Sequence, residues 1–417
     1  MNLTNREFLA AKAQEIIALS KKFLTNKDGI LIRGVDTKKN IVFPQPLIDE
    51  LGDFLPFFAY FGDEETCVRH LRYTKEHPPR FSRAFSYTDL LLGLAWYRAV
   101  GKEKNFARSL GDGILKSVVK KHFGRFPGSY VFSGRVLPIF NTQDSTFLEI
   151  FTEWHRSTRD PFYLEEARRL FAFLTANPFF QKRGLLPECI ITFPLLKPGA
   201  YLRPKKFLRP RIMKHNTNFG FGLLDLWRVA PDPKIKDAFH HLFEGLDRHT
   251  VEDGGVRNYP DERSAPADLV SSFAVADLMA DGFFVFHDSR YLEFSKRVAE
   301  YWIMRQSNTT GLFPKEDGSR LSYLDNETDM AIVLFKLWEL TGEQRYHESA
   351  ERALGGILTH HKGERGYVLE VDIASGAHND AEYKTKFNTL LLKPLIYLLS
   401  GKKIYGDETI YMLMKDR

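Results

Sequence analysis

Three carboxylates fall within five residues at Asp325-Asn326-Glu327-Thr328-Asp329. Crowded like charges repel, so one member of such a set holds its proton near neutral pH while another stays ionised. That division supplies a general acid and a general base or nucleophile. Asp89 in Ser86-Tyr87-Thr88-Asp89 and Asp144 in Asn141-Thr142-Gln143-Asp144-Ser145-Thr146 occupy the same setting, as do His215-Asn216-Thr217-Asn218 and Asp268 after Pro266-Ala267. Each stands where a helical pattern begins. Taken singly each reads as a helix cap, because side-chain oxygens satisfy the free N–H groups and acids favour the positive end; Asp268 reads most plainly so. Taken together they are a ring of carboxylates, provided that the helices they open share one mouth. A second acid–base set consists of Tyr87, Tyr323 and Tyr383 with His215, Lys384 and Lys386. Such groups suit abstraction of a proton beside a carboxylate, although each alone reads as a packing or surface residue.

The segment from Lys197 to His215 holds Lys197, Arg203, Lys205, Lys206, Arg209, Arg211 and Lys214 without one acid. Pro198, Pro204 and Pro210 keep it from being a helix. One reading is a solvated loop. Another is an anion site, in which Arg203, Arg209, Arg211 and Lys214 hold a carboxylate, sulfate or phosphate, with His215, Asn218, Asp268 and Lys386 completing the substrate contacts. A third is attachment of 197–214 to an anionic membrane surface, since Tyr201, Phe207, Leu208 and Ile212 are interleaved. Nucleic acid is not expected, because no recognised module accompanies the charge.

The elements that must position these residues recur. A glycine followed by an apolar stretch returns at Gly29, Gly128, Gly184, Gly254, Gly311 and Gly366, the last three about 55 residues apart. Between them lie helical pairs: Tyr87–Val100 with Lys102–His122, Asp144–Ser157 with Pro161–Asn177, Thr217–Val229 with Pro233–His249, Pro266–Phe284 with Ser289–Arg305, and Glu327–Leu340 with Glu343–His360. Leu47–Tyr60 with Glu64–Glu76 precedes them, and residues 4–24 and Thr385–Leu399 supply a first and a last helix. Turns within pairs are short, as at Thr341-Gly342-Glu343; connections between pairs are long. One helical pair cannot bury its own apolar face, so the pairs must stack. The expected fold is all-α, an (α/α) toroid of six or seven hairpins with β-hairpin-like connections on one rim. No linker divides the chain, so 1–417 reads as a single domain, with N-terminal helices in 1–80 and repeated hairpins in 81–400. An open solenoid that binds other proteins is the alternative arrangement.

Composition narrows the function classes. Aromatic residues make up 14% of the 417, enough both to fill wide helix layers and to line a sugar-binding cleft. The net charge of +6 is mild for this size and does not by itself imply nucleic acid. Two cysteines, Cys67 and Cys189, are too few for a metal site, and no histidines stand at zinc spacing. No cofactor or metal is expected. The N-terminal residues lack the apolar core of a signal peptide, no apolar run reaches bilayer length, and a cytoplasmic protein with free thiols is the expectation. No phosphate loop, dinucleotide-binding glycine run, Ser-His-Asp pattern or His-Glu-x-x-His is present.

From Asp325-Asn326-Glu327-Thr328-Asp329 through Leu337-Trp338-Glu339-Leu340-Thr341-Gly342-Glu343-Gln344-Arg345-Tyr346 to Ala350-Glu351-Arg352-Ala353, the chain resembles the six-hairpin glycosidase group of α/α toroids. That group includes unsaturated glucuronyl hydrolases, N-acylglucosamine 2-epimerases and D-glucuronyl C5-epimerases. The resemblance implies a carbohydrate-active enzyme with its substrate in a central cleft. With the basic segment, it leads to the expectation of an acidic, uronate-containing oligo- or polysaccharide. Glycoside hydrolysis would draw on Asp325, Glu327, Asp329, Asp89 and Asp144; epimerisation or elimination would draw on Tyr87, Tyr323 and His215. A non-enzymatic scaffold would leave the acids as caps.

Overall fold

The computed structural model describes residues 3, 5–81, 84–126, 129–130, 139–191, 210–251, 253–262 and 264–401. Among these, seven helical pairs close a ring. The inner layer is a 3-10 turn at Leu51–Asp53 running into α2 (Leu55–Tyr60), then α4 (Thr88–Val100), α6 (Phe147–Thr158), α9 (Asn218–Val229), α11 (Leu269–Phe286), α13 (Leu324–Thr341), and finally α15 (Thr385–Leu390) with α16 (Leu392–Ser400). Their outer partners are α3 (Glu64–Glu76), α5 (Lys104–His122), α7 (Pro161–Thr175), α10 (Pro233–His249), α12 (Ser289–Ile303), α14 (Gln344–Gly356) and, for the last pair, α1 (Arg6–Phe23). Each inner element touches the next, and α15 returns to the Leu51–Asp53 turn, so the ring is shut by the two ends of the chain. This settles the hairpin number at seven.

Proline explains where two inner elements differ from their sequence pattern. Leu47–Tyr60 is not one helix, because Pro56 sits in the first turn of α2 and has no N–H to extend the helix backwards. Thr385–Leu399 is interrupted at Leu391, because Pro394 cannot donate to the carbonyl of Leu390. α8 (Pro178–Arg183) is an extra short helix.

Tight turns inside pairs make each outer helix antiparallel to its inner partner, so all inner helices start at one rim. The strands lie on that rim, in the long connections. β1 (Ile32–Asp36) pairs with β2 (Ile41–Pro46) and with β11 (Glu382–Lys384); β7 (Leu321–Tyr323) pairs with β10 (Glu370–Asp372); β5 (Ile139–Asn141) pairs with β6 (Cys189–Ile191). These three ladders tie each connection to a neighbouring one. Two local hairpins add β3 (Phe123–Phe126) with β4 (Ser129–Tyr130) and β8 (Lys362–Gly363) with β9 (Gly366–Tyr367).

The recurring glycine is a docking point. Gly254 and Gly311 have φ of 109° and 76°, and a Cβ there would lie 2.4 Å from the Arg297 carbonyl on α12 and 2.5 Å from the Arg352 carbonyl on α14. A side chain is excluded by both conformation and contact. Thus each connection is laid against the outer helix of the following pair, which fixes the 55-residue period. Tyrosine near the start of outer helices staples the outer layer: the Tyr346 hydroxyl donates to Glu300 on α12 at 2.9 Å, the Tyr163 hydroxyl donates to Asp112 on α5, and the Tyr291 hydroxyl lies 3.3 Å from His240 Nδ1 on α10. α11 is long and apolar enough to cross a membrane by length and composition, yet most of it is buried within the ring.

Candidate functional site: the inner face of the ring

The expected caps are mostly at the other end of the pairs. Asp63, Asp160, Asp232 and Asp288 cap outer helices, each side chain accepting a first-turn N–H. Of the inner helices, α11 is the one whose N-cap side chain, Asp268, does this. At the starts of α4, α6, α9 and α13 the N-cap side chain makes no such bond.

Along the inner helices charged residues recur three, four or seven positions apart: Glu149, Glu153 and Arg156 on α6; Asp225 and Arg228 on α9; Asp277 and Asp281 on α11; Asp325, Asp329 and Lys336 on α13. This spacing defines one helical face, and it faces the axis, because the charges act on one another across helices. Glu149 feels Asp225 and Asp89; Asp281 feels Lys336 and Arg228; Asp53 feels Lys386, Asp89 and Lys393. Phe221 and Phe273, one turn before Asp225 and Asp277 on the same faces, stay partly exposed.

Ion pairs occupy most of this inner face. Lys336 Nζ lies 2.5 Å from Asp277 and 2.9 Å from Asp281. Lys393 reaches Asp329 at 3.2 Å, Arg228 reaches Asp225 at 2.9 Å, and Arg156 reaches Glu153 at 2.7 Å. Burial raises Asp225 and Asp281 to about 6 against the opposing pull of Arg228 and Lys336. Lys386 Nζ sits 2.9 Å from Asp53, 3.4 Å from Asp89 and 3.9 Å from Glu50. This cluster exists because Gly52 and Gly93 let the Leu51–Asp53 turn lie on the α4 backbone; a Cβ on Gly93 would be 2.4 Å from the Gly52 nitrogen.

Two carboxylates on this face make no ion pair among the described residues, although Arg228 pulls on Glu149 and Lys386 on Asp325. Glu149 lies deep among protein atoms yet keeps intermediate exposure, which is the condition of a group in a cleft. Burial, then Asp225, Glu153 and Asp89, push its carboxyl well above the usual range. Burial and then Asp329 raise Asp325 to about 6, and its Oδ1 is buried without a hydrogen-bond partner. Sequence reasoning missed Glu149, Asp225, Asp277 and Asp281.

The remaining sequence candidates divide by position. Asp89, 43% exposed, is beside Lys386. Glu327 is fully buried away from the axis: its Oε1 accepts the Phe313 N–H at 2.5 Å and the Ser322 hydroxyl at 2.8 Å, and burial raises it to about 8. Asp144 is buried in the turn Thr142–Thr146. The Tyr87 hydroxyl donates to Pro79 O and accepts from Phe81 N, fixing that loop. Tyr323 is half-buried, raised to about 12 by burial, then by Glu370 and Asp325. Tyr383 is buried beneath Gly363, and Lys384 lies 3.4 Å from Glu382. His215 is buried with Nδ1 2.7 Å from Thr142 Oγ1, and Asn218 donates to Thr146 Oγ1 at 2.9 Å. Both Asp268 oxygens accept backbone N–H bonds, from Ser271 and Asn258. Arg211 lies 3.9 Å from Glu188 and stacks over Tyr259. Arg203, Arg209 and the Lys214 side chain lie outside the described residues, as does most of 197–214. Cys67 and Cys189 are buried free thiols, and no group of three or more potential metal ligands occurs among the described residues.

No protein-family model and no curated protein matches this sequence. Solved structures do. An α-1,2-mannosidase from Trichoderma reesei superposes with a TM-score of 0.71 at 13% identity, covering 96% of each chain. A D-mannose isomerase gives 0.62 at 11% identity over 96% of this chain and 99% of the other. A cellobiose 2-epimerase from Bacillus thermoamylovorans gives 0.60 at 12% identity over 93% of this chain and all of the other. At such identity the shared property is the fold, an α/α toroid.

Proposed function

We propose that the protein is a carbohydrate-active enzyme that hydrolyses a glycosidic bond in the cleft of the ring, with Glu149 as general acid and Asp89 as the ionised carboxylate. One observation carries this reading. Glu149 and Asp89 face the same space, one without an ion pair and pushed towards its protonated form, the other beside Lys386. Glu149 would give its proton to the leaving-group oxygen. Asp89 would take a proton from the attacking water, or attack the anomeric carbon itself, as the separation of the two carboxyls dictates. Phe221 and Phe273 offer apolar faces for a pyranose ring. Asp325 is the reserve acid. That proteins of this fold include a mannosidase agrees with the reading.

The charge of the substrate is read from the same face. Its described carboxylates outnumber its cations, so a neutral saccharide fits it better than a uronate. The acidic-glycan expectation rests on 197–214 alone. Epimerisation or isomerisation, named in other structures of this fold, is the second reading. It needs exposed proton-transfer groups, whereas His215 and His361 at the rim are at most 2% exposed.

The test is turnover of neutral manno- and gluco-oligosaccharides and of uronate oligosaccharides, with products identified by mass spectrometry. Shortened neutral products, lost in Glu149→Gln and Asp89→Asn, support the proposal. Products of unchanged length and altered configuration overturn hydrolysis in favour of epimerisation.

A further inference from the structure

Lys386 stands where the ring is shut. The seam joins the first and last parts of the chain through β1 and β11, through the Thr385 hydroxyl donating to Ile32 O, and through α15 against the Leu51–Asp53 turn. One ammonium meets three carboxylates there, from two elements: Asp53 at 2.9 Å and Glu50 at 3.9 Å at the two ends of the Leu51–Asp53 turn, and Asp89 at 3.4 Å on α4. Asp53 and Glu50 are the inward members, with side chains 14% and 21% exposed, while Asp89 at 43% is the member open to the cleft. Glu50 is also shared with Arg33 at 3.6 Å, so the three acids do not compete equally for Lys386.

We propose that Lys386 is a positioning residue: it holds the Asp89 carboxylate towards Glu149 as the charged half of an acid–base pair, and Asp53 meters how much of its ammonium Asp89 receives. This deepens the hydrolytic reading and rests on it. The groups acting on Asp89 come from every neighbouring element: Lys386 on α15, Asp53 in the turn before α2, Lys393 on α16 through Asp53, and Glu149 on α6. Without Lys386, Asp89 and Glu149 become two like carboxyls on one cleft, and like carboxyls resist joint ionisation. The difference between acid and base is then lost.

The two neighbours of Asp89 give opposite tests, read in the full chain as kcat against KM. Lys386→Met is expected to lower kcat about tenfold or more with KM little changed, and Lys386→Arg to restore it. In an Asp89→Asn background Lys386→Met is expected to cost nothing further, because a residue that acts through Asp89 has no effect once that carboxylate is gone. Asp53→Asn, which frees the ammonium for Asp89, is expected to leave kcat undiminished and remains informative where Lys386→Met fails to fold. A Lys386→Met loss that adds in full to that of Asp89→Asn, or a large fall of kcat in Asp53→Asn, overturns the assignment. Full activity in both Glu149→Gln and Asp89→Asn, with kcat still lost in Lys386→Met, removes the hydrolytic reading and with it the positioning role.

Discussion

Glu149 and Glu327 are both glutamates whose carboxyls burial pushes upward, and they sit in opposite kinds of place. Glu327 is fully enclosed at the rim, with two donors on one oxygen and none on the other. That is how a protonated carboxyl serves as a strut: Oε1 accepts, and Oε2 is left for the proton. Glu149 has no hydrogen-bond donor and no ion pair among the described residues, Arg228 acts on it only from a distance, and it keeps contact with the axial space. A raised carboxyl alone therefore says little about chemistry. What separates the two is whether its hydrogen bonds are already spent.

The contrast breaks if Glu149→Gln is silent. The amide keeps the size and removes the transferable proton, so turnover is expected to fall by about 100- to 10,000-fold, with thermal stability unchanged or raised, since burial and the neighbouring carboxylates already disfavour a charge there. Turnover within a factor of two of wild type would shift the acid role to Asp325.

Glu327→Ala tests the other half. It leaves the Phe313 N–H and the Ser322 hydroxyl buried without their acceptor, at a cost of about 2–4 kcal/mol, measured as a lower urea midpoint. KM and kcat of the protein that remains folded should stay close to wild type. A large fall in kcat with little loss of stability would instead place Glu327 in the chemistry.

The strut also carries a pH signature. The Glu327 carboxyl is raised from 4.5 to about 8, so the folded state binds a proton that the unfolded state has lost between those values. Its stabilising effect is full below 4.5 and disappears as pH rises towards 8. Stability should fall by about 1 kcal/mol per pH unit across that window, and Glu327→Gln should flatten this part of the curve.

The repeat was legible in the sequence because it is local. A glycine before an apolar stretch and a tight turn recur along the chain, α7, α12 and α14 each carry a tyrosine two residues after their start, and the spacing implies stacked pairs. The seventh pair was legible through its first and last helices, although only the ring contacts show that they meet. The site was less legible. Asp325, Glu327 and Asp329 drew attention through density, yet that density is helical: residues two apart point to different sides, so Glu327 faces the rim while Asp325 and Asp329 face the axis. Glu149 stands alone in Phe147-Leu148-Glu149-Ile150-Phe151 and has no motif around it. Its signal is the stripe Glu149, Glu153, Arg156 on a helix whose buried face holds Phe147, Ile150, Phe151 and Trp154. A stripe of charge on a helix usually marks the outside of a protein; only closure of the ring makes it the inside.

The smallest expected effects separate a rim glycine that docks from one that merely turns. Gly311 and Gly342 share nearly the same φ, 76° and 73°. A Cβ on Gly311 would be 2.5 Å from the Arg352 carbonyl, whereas one on Gly342 would meet nothing within 4 Å. Both alanine variants incur the left-handed conformational cost of about 1–2 kcal/mol, but only Gly311→Ala must also push the connection away from α14. That push acts on Gly311-Leu312-Phe313, the stretch whose Phe313 N–H is held by Glu327. Gly311→Ala should therefore exceed Gly342→Ala by about 1 kcal/mol or more, and its effect should be smaller in a Glu327→Ala background, since contacts in one network do not add. Gly342→Ala should add to Glu327→Ala without coupling. Equal and additive losses for both glycines would mean that the turn conformation, and not the docking, sets the 55-residue spacing.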